Sequence, residues 1–120
     1  SIVAIEEVPQ NQTDKYGIIS GEPVNNSINT FQVSEMIEKP NIEDAPSNMA
    51  IIGRYILTPD IFKILKKIKP DKNGEIQITD ALNVQAKKGR VLAYKFDGSR
   101  FDCGSIDGFL KATNHFAKKL

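Results

Sequence analysis

The chain of 120 residues predicts a layered α/β or α+β domain in which strands come first and helix, helix, strand and helix follow. Three observations predict it. Ile2–Ile5 and Met49–Leu57, the latter interrupted at Gly53, are almost continuously apolar and rich in β-branched residues, as strands buried on both faces are. From Thr30 to Lys39 the pattern alternates, with Phe31, Val33 and Glu35 to one side and Gln32, Ser34 and Met36 to the other. Beyond Ser105, the residues Ile106, Phe109, Leu110, Phe116, Ala117 and Leu120 recur at helical spacing.

The intervening elements follow in order. "PQNQTDKYG" is a polar connection, and "YGIISGE" a short strand leading into the turn-forming "GEPVNNSIN". The alternating strand ends at Pro40, which cannot donate to a ladder, and "PNIEDAPSN" is a loop. Thr58 caps a helix with Pro59 at its first position, and Ile61, Phe62, Leu65 and Ile68 line one face until Pro70 stops it. "PDKNGE" is a loop. Thr79 caps a second helix, "DALNVQAKK", which Gly89 ends. "RVLAYKF" is a strand, "DGS" a turn, and "RFDCG" a short strand ending at Gly104.

Length suits one domain with a single core, spanning residues 1–120. The hydrophobic fraction of 40% and the charged fraction of 26% are those of a soluble globular protein. No apolar run reaches the roughly 20 residues that span a bilayer, so no membrane partner is expected. Cys103 is the one cysteine and has no internal partner, which points to a reducing, cytoplasmic setting. The chain starts at Ser1 and enters an apolar strand at once, so it reads as part of something longer.

Charge is uneven. Residues 1–50 carry two basic and eight acidic side chains, net −6, whereas residues 51–120 carry fourteen basic and seven acidic, net +7. The lysines are scattered over helix-like segments, the pattern of a solvated face, and nucleic acid is not an expected partner.

Three places concentrate residues suited to chemistry. Gly17, at the mouth of a strand, permits close backbone approach to a ligand, or is turn chemistry. Glu38-Lys39 offers a carboxylate for hydroxyls and an ammonium for phosphate, or is an exposed strand end. Asp102 is a hard oxygen ligand for Mg²⁺, or a turn aspartate. On residue types alone both readings stand at each. Cys103 has no activating histidine nearby and reads as packing, and His115 as a surface or interface residue of the last helix.

Taken in order, "KYGII", "MIEKP", "APSNMAIIGRYILTPDIF", "GEIQITDAL" and "RFDCG" resemble the C-terminal half of the bacterial UTP–glucose-1-phosphate uridylyltransferases, within the wider sugar-nucleotidyltransferase superfamily. The resemblance covers nearly the whole chain. It implies part of a nucleotide-diphospho-sugar transferase fold, Rossmann-like with a mixed sheet, lacking the N-terminal nucleotide-binding half. No glycine-rich phosphate loop occurs in these residues, so the segment alone is not expected to be catalytically competent.

Carried over by position, the resemblance implies that Glu38 holds sugar hydroxyls, Lys39 contacts the sugar phosphate and acts in catalysis, Gly17 meets the sugar through its backbone, and Ile51 lines the pocket. Asp102 would be one of two aspartates holding Mg²⁺. Asp80 either belongs to this site or only supplies negative charge to the first turn of its helix. The implied substrates are UTP and glucose 1-phosphate, and the full-length form is expected to be a homo-oligomer. A related transferase for another nucleotide or sugar, and a non-catalytic sugar-phosphate-binding domain, are the alternatives.

Overall fold

The computed structural model describes residues 1–120. Five strands carry the fold: β1 (Ile2–Glu7), β2 (Gly17–Pro23), β3 (Thr30–Glu38), β4 (Met49–Ile56) and β5 (Leu92–Lys95). Three helices accompany them: α1 (Ile61–Leu65), α2 (Ile78–Lys87) and α3 (Ile106–Ala117). No helix is long and apolar enough to cross a membrane.

The sheet is mixed and its pairings close into a ring in the order β1, β4, β2, β3, β5. β1–β4, β2–β3, β2–β4 and β3–β5 are antiparallel, and β5 returns parallel to β1 after the α1–α2 crossover. The expected mixed sheet with helices is therefore present. Its strands all have lateral partners, so no exposed sheet edge remains at Ile2–Ile5.

Burial on both faces of β1 does not hold. Val3 and Ile5 are buried, whereas Ile2 is 37% exposed, and on β4 Ile56 is 69% exposed. Apolar content predicts how much surface a strand could bury; how much it does bury depends on what covers its second face.

The alternation expected for β3 also breaks, for a local reason. Ser20 pairs with Glu35 but Gly21 pairs with Val33, so Ser34 is the extra residue of a β-bulge. Across the bulge the side-chain phase resets, and Val33 and Met36 both enter the core.

That core gathers Val3, Ile5, Ile19 and Ile51 from the strands with Ile61, Ala81, Leu82 and Ala86 from the helices. α2 lies on β3 through its Ala81–Leu82–Ala86 face, and burying a side chain such as Leu82 contributes about 1.5–3 kcal/mol. Buried Gln85 ties the helices to β1: its amide donates to Thr58 Oγ1 (3.0 Å) and Asp60 Oδ1 (3.1 Å), and its carbonyl accepts from Ser1 Oγ (2.7 Å). No buried side-chain polar atom lacks a partner.

Several local expectations need correction. α1 is only five residues long and leaves Phe62 68% exposed, and Thr58 turns its hydroxyl to Asp60 Oδ1 instead of capping the helix. Thr79 lies inside α2, after its flanking residue Gln77, with its hydroxyl engaged elsewhere. Gly89 does end α2, its N–H donating to the Ala86 carbonyl (2.9 Å). "RFDCG" is not a strand; it runs as an irregular segment and turn into α3. Ser105 caps α3 by accepting from Gly108 N–H (3.1 Å), and no residue of that helix is buried. Cys103 is exposed, not packed. His115 packs against Phe101 in a tilted arrangement and edge-to-face against Phe116, with ring centroids 5.0 and 5.3 Å away.

Candidate functional site

One end of the sheet collects the site residues. The β2–β3 hairpin sets Gly17 directly across from Glu38, and β4 enters beside it through the Ile18–Ala50 pair. The space at Gly17 is so tight that a β-carbon there would stand 3.1 Å from Glu38 Oε2, 3.2 Å from Ile51 Cδ1 and 3.2 Å from Thr79 Oγ1. Three residues nominated from sequence, Gly17, Glu38 and Ile51, therefore meet at one point.

Thr79 is the fourth member, and the sequence reading missed it. Its hydroxyl, almost fully buried, donates to Glu38 Oε2 at 2.5 Å. One helical turn later, Asn83 Oδ1 accepts from the Met36 N–H at 3.0 Å. Helix α2 thus grips the end of β3 twice, at the carboxylate and at the backbone two residues before it. The available signal was a pair of small polar residues, four apart, beside the buried face of an amphipathic helix.

Lys39 follows Glu38 in an uncommon conformation. Its φ is +45°, in the left-handed region that a residue preceding proline seldom occupies, and its N–H donates to the Tyr16 carbonyl at 2.9 Å. Such conformations cost of order 1–3 kcal/mol and concentrate where a side chain must be aimed. A cavity of about 530 Å³ opens here, lined by Glu38 and Lys39 together with Ile37, Asp71, Lys72, Gln77 and Asp80. Asp80 sits both in the first turn of α2 and on this cavity.

The electrostatics are local. Half-buried Tyr55 has its phenol pKa raised, chiefly by burial and further by the negative charge of Glu38. The chain's ion pairs are Arg90–Asp60, Lys95–Glu7, Arg100–Glu6 and Lys111–Asp107, so Lys39 has no carboxylate partner within the chain.

Asp102 lies elsewhere. It is exposed, and its Oδ1 accepts from Gly104 N–H at 2.9 Å. It lines two cavities, of about 570 and 490 Å³, and neither shares a lining residue with the cavity of Glu38 and Lys39. Tyr16 connects the two regions. Its ring lines the Asp102 side, where its hydroxyl accepts from Arg100 Nη2 (3.2 Å), while its carbonyl holds Lys39. Arg100 is anchored in turn by Glu6, Nε to Oε1 at 2.7 Å.

No group of three or more His, Cys, Asp or Glu side chains is placed to hold a metal ion. One carboxylate with an uncommitted oxygen still suits Mg²⁺, which takes one or two carboxylates plus substrate phosphates. Asp102 fits that role as a single ligand.

The family model for nucleotidyl transferases matches residues 1–119. A UTP–glucose-1-phosphate uridylyltransferase of Pseudomonas aeruginosa is 62% identical over 120 residues, which is all of this chain and 42% of that protein. A second such enzyme, from Staphylococcus saprophyticus, is 44% identical over 99% of this chain and 41% of its own length. Among solved structures, a UDP-glucose pyrophosphorylase complexed with UDP-glucose superposes with a TM-score of 0.91 at 57% identity, covering 99% of this chain and 44% of that one. The chain spans about two-fifths of the length of the relatives it matches. With a matching family model along nearly its whole length and a shared architecture, the chain belongs to the nucleotidyl transferase family.

Proposed function

We propose that this chain is the sugar-phosphate-binding part of an enzyme that makes UDP-glucose and pyrophosphate from UTP and glucose 1-phosphate. The observation that carries the reading is the meeting of Gly17, Glu38, Ile51 and Thr79 within about one atomic contact of a single point. The names of the relatives support the substrate pair.

In this reading Glu38 accepts hydrogen bonds from hexose hydroxyls through the oxygen that Thr79 leaves free, and the bare Gly17 backbone lets the ring approach. Ile51 supplies the apolar wall. Lys39 neutralises the phosphate whose oxygen attacks the α-phosphorus of UTP in line, expelling pyrophosphate. The nucleophile is already an anion, so no general base is required, and positioning and charge neutralisation carry the rate. Bound Mg²⁺, to which Asp102 would contribute one ligand, supplies further neutralisation of phosphate charge.

A charge-assisted contact of this kind is worth about 1.5–3 kcal/mol, roughly a tenfold to hundredfold change in rate. The test is steady-state kinetics of the complete enzyme with UTP and glucose 1-phosphate. Lys39→Ala should lower kcat/KM by that factor, and unchanged turnover would remove the assignment.

A further inference from the structure

The cavity beside Glu38 holds a second ammonium group that the family resemblance does not nominate. Lys72 lines it together with Lys39 and, like Lys39, has no carboxylate within ion-pair reach. The turn that carries Lys72 is firmly built. Asp71 Oδ1 accepts from the N–H groups of Asn73 (2.8 Å) and Glu75 (3.0 Å), and Oδ2 accepts from Gln77 Nε2 (2.9 Å). The same turn is closed by Asp71 N–H to the Glu75 carbonyl (2.8 Å) and Gly74 N–H to the Asp71 carbonyl (2.9 Å). Asp71 is the carboxylate nearest in sequence to Lys72, and its acceptors are already occupied by the turn. Glu38 is likewise held by Thr79, which leaves Asp80 as the cavity's one carboxylate without a side-chain or backbone donor.

Lys39 and Lys72 line this cavity without ion-pair partners, beside Glu38, Asp71 and Asp80, and two such ammonium groups, one of them on a preorganised turn, suit a phosphate group on the ligand. We propose that Lys72 is a specificity-determining residue of this cavity, favouring hexoses that bear a dianionic phosphate over uncharged ones. The inference rests on the sugar-phosphate reading given above. Lys72 is exposed, and a solvated ammonium of this kind would hold the phosphate alike in the ground and transition states.

In the complete enzyme, Lys72→Ala should raise KM for glucose 1-phosphate roughly three- to fivefold with kcat unchanged, the scale of a partly exposed charge contact. Raising the salt concentration should shrink that ratio toward one, because exposed charges are screened. The inhibition constant of free glucose as a competitor should not move, and Lys72→Arg should restore KM. An unchanged KM, or equal weakening of glucose and glucose 1-phosphate, overturns the inference. Lys39→Ala and Glu38→Gln are measured alongside. If they change the kinetics and Lys72→Ala does not, only the role of Lys72 falls; if they too are silent, the sugar-phosphate reading falls and takes this inference with it.

Discussion

Thr79, in the first turn of α2, donates its hydroxyl to Oε2 of Glu38, forty-one residues earlier at the end of β3, across 2.5 Å. The bond fixes which carboxylate oxygen stays available. It also couples the helix to the carboxylate that stands beside Gly17.

Removing that donor without changing shape isolates its contribution. Thr79→Val leaves the buried volume nearly intact but strips Glu38 of its partner, a loss of about 1.5–3 kcal/mol for a hydrogen bond to a charged group. In the complete enzyme, kcat/KM for glucose 1-phosphate should fall roughly tenfold to hundredfold, and Thr79→Ser should recover most of it. Kinetics of the three forms at one pH decide the matter.

Gly17 permits an equally direct prediction. Its role is space, since the three atoms around its missing β-carbon lie at 3.1–3.2 Å. Gly17→Ala should push aside Glu38, Ile51 or Thr79 and abolish measurable glucose 1-phosphate binding. The folded protein should lose only about 1–3 kcal/mol, the usual cost of overpacking. Calorimetric titration paired with a thermal melt separates the two effects.

A similar close approach holds Asp102. A β-carbon on Gly108 would overlap the Asp102 carbonyl oxygen, so the first turn of α3 can lie against this segment only with glycine there. Gly108→Ala should displace Asp102 and weaken Mg²⁺-dependent turnover of the complete enzyme. The apparent Mg²⁺ requirement, titrated in wild type and variant, should rise in the variant.

Acid should weaken the contact of α1 with α2. The Asp60 carboxyl has its pKa lowered, first by the hydrogen bond from Thr58, then by Gln85 and by the Arg90 guanidinium, against an opposing effect of burial. A carboxyl with a folded-state pKa below its unfolded one stabilises the protein above the unfolded value, about 3.9, and loses that stabilisation as pH falls through the folded value. Asp60→Asn should therefore be less stable than wild type at pH 7, and the gap should close below about pH 4. Melting temperatures of both proteins from pH 7 to pH 3 measure it.

Local pattern carried much of the fold and part of the site. The runs around Ile2–Ile5 and Met49–Ile56 were legible as strands because β-branched apolar residues leave few alternatives, and α3 because its apolar spacing is regular. The phase of β3 was not legible, since a bulge at Ser34 is set by pairing with Ser20 and Gly21 and has no signal in its own segment. Glu38 and Gly17 could be nominated from motif. Thr79 was read as a cap, as a threonine near a helix start is until the strand it faces is known. Asp102 was nominated together with Glu38 and Lys39, and they line separate cavities of this chain, with Tyr16 between them. Which cavities adjoin is a long-range property that spacing along the chain does not encode.

The most direct measurement is a crystal structure of the complete protein with glucose 1-phosphate bound. Hexose hydroxyls on the Glu38 carboxylate, the ring against Gly17 and the phosphate within reach of Lys39 are the predicted arrangement. A sugar phosphate ordered in another cavity, with Glu38 bonded to Thr79 alone, would contradict it.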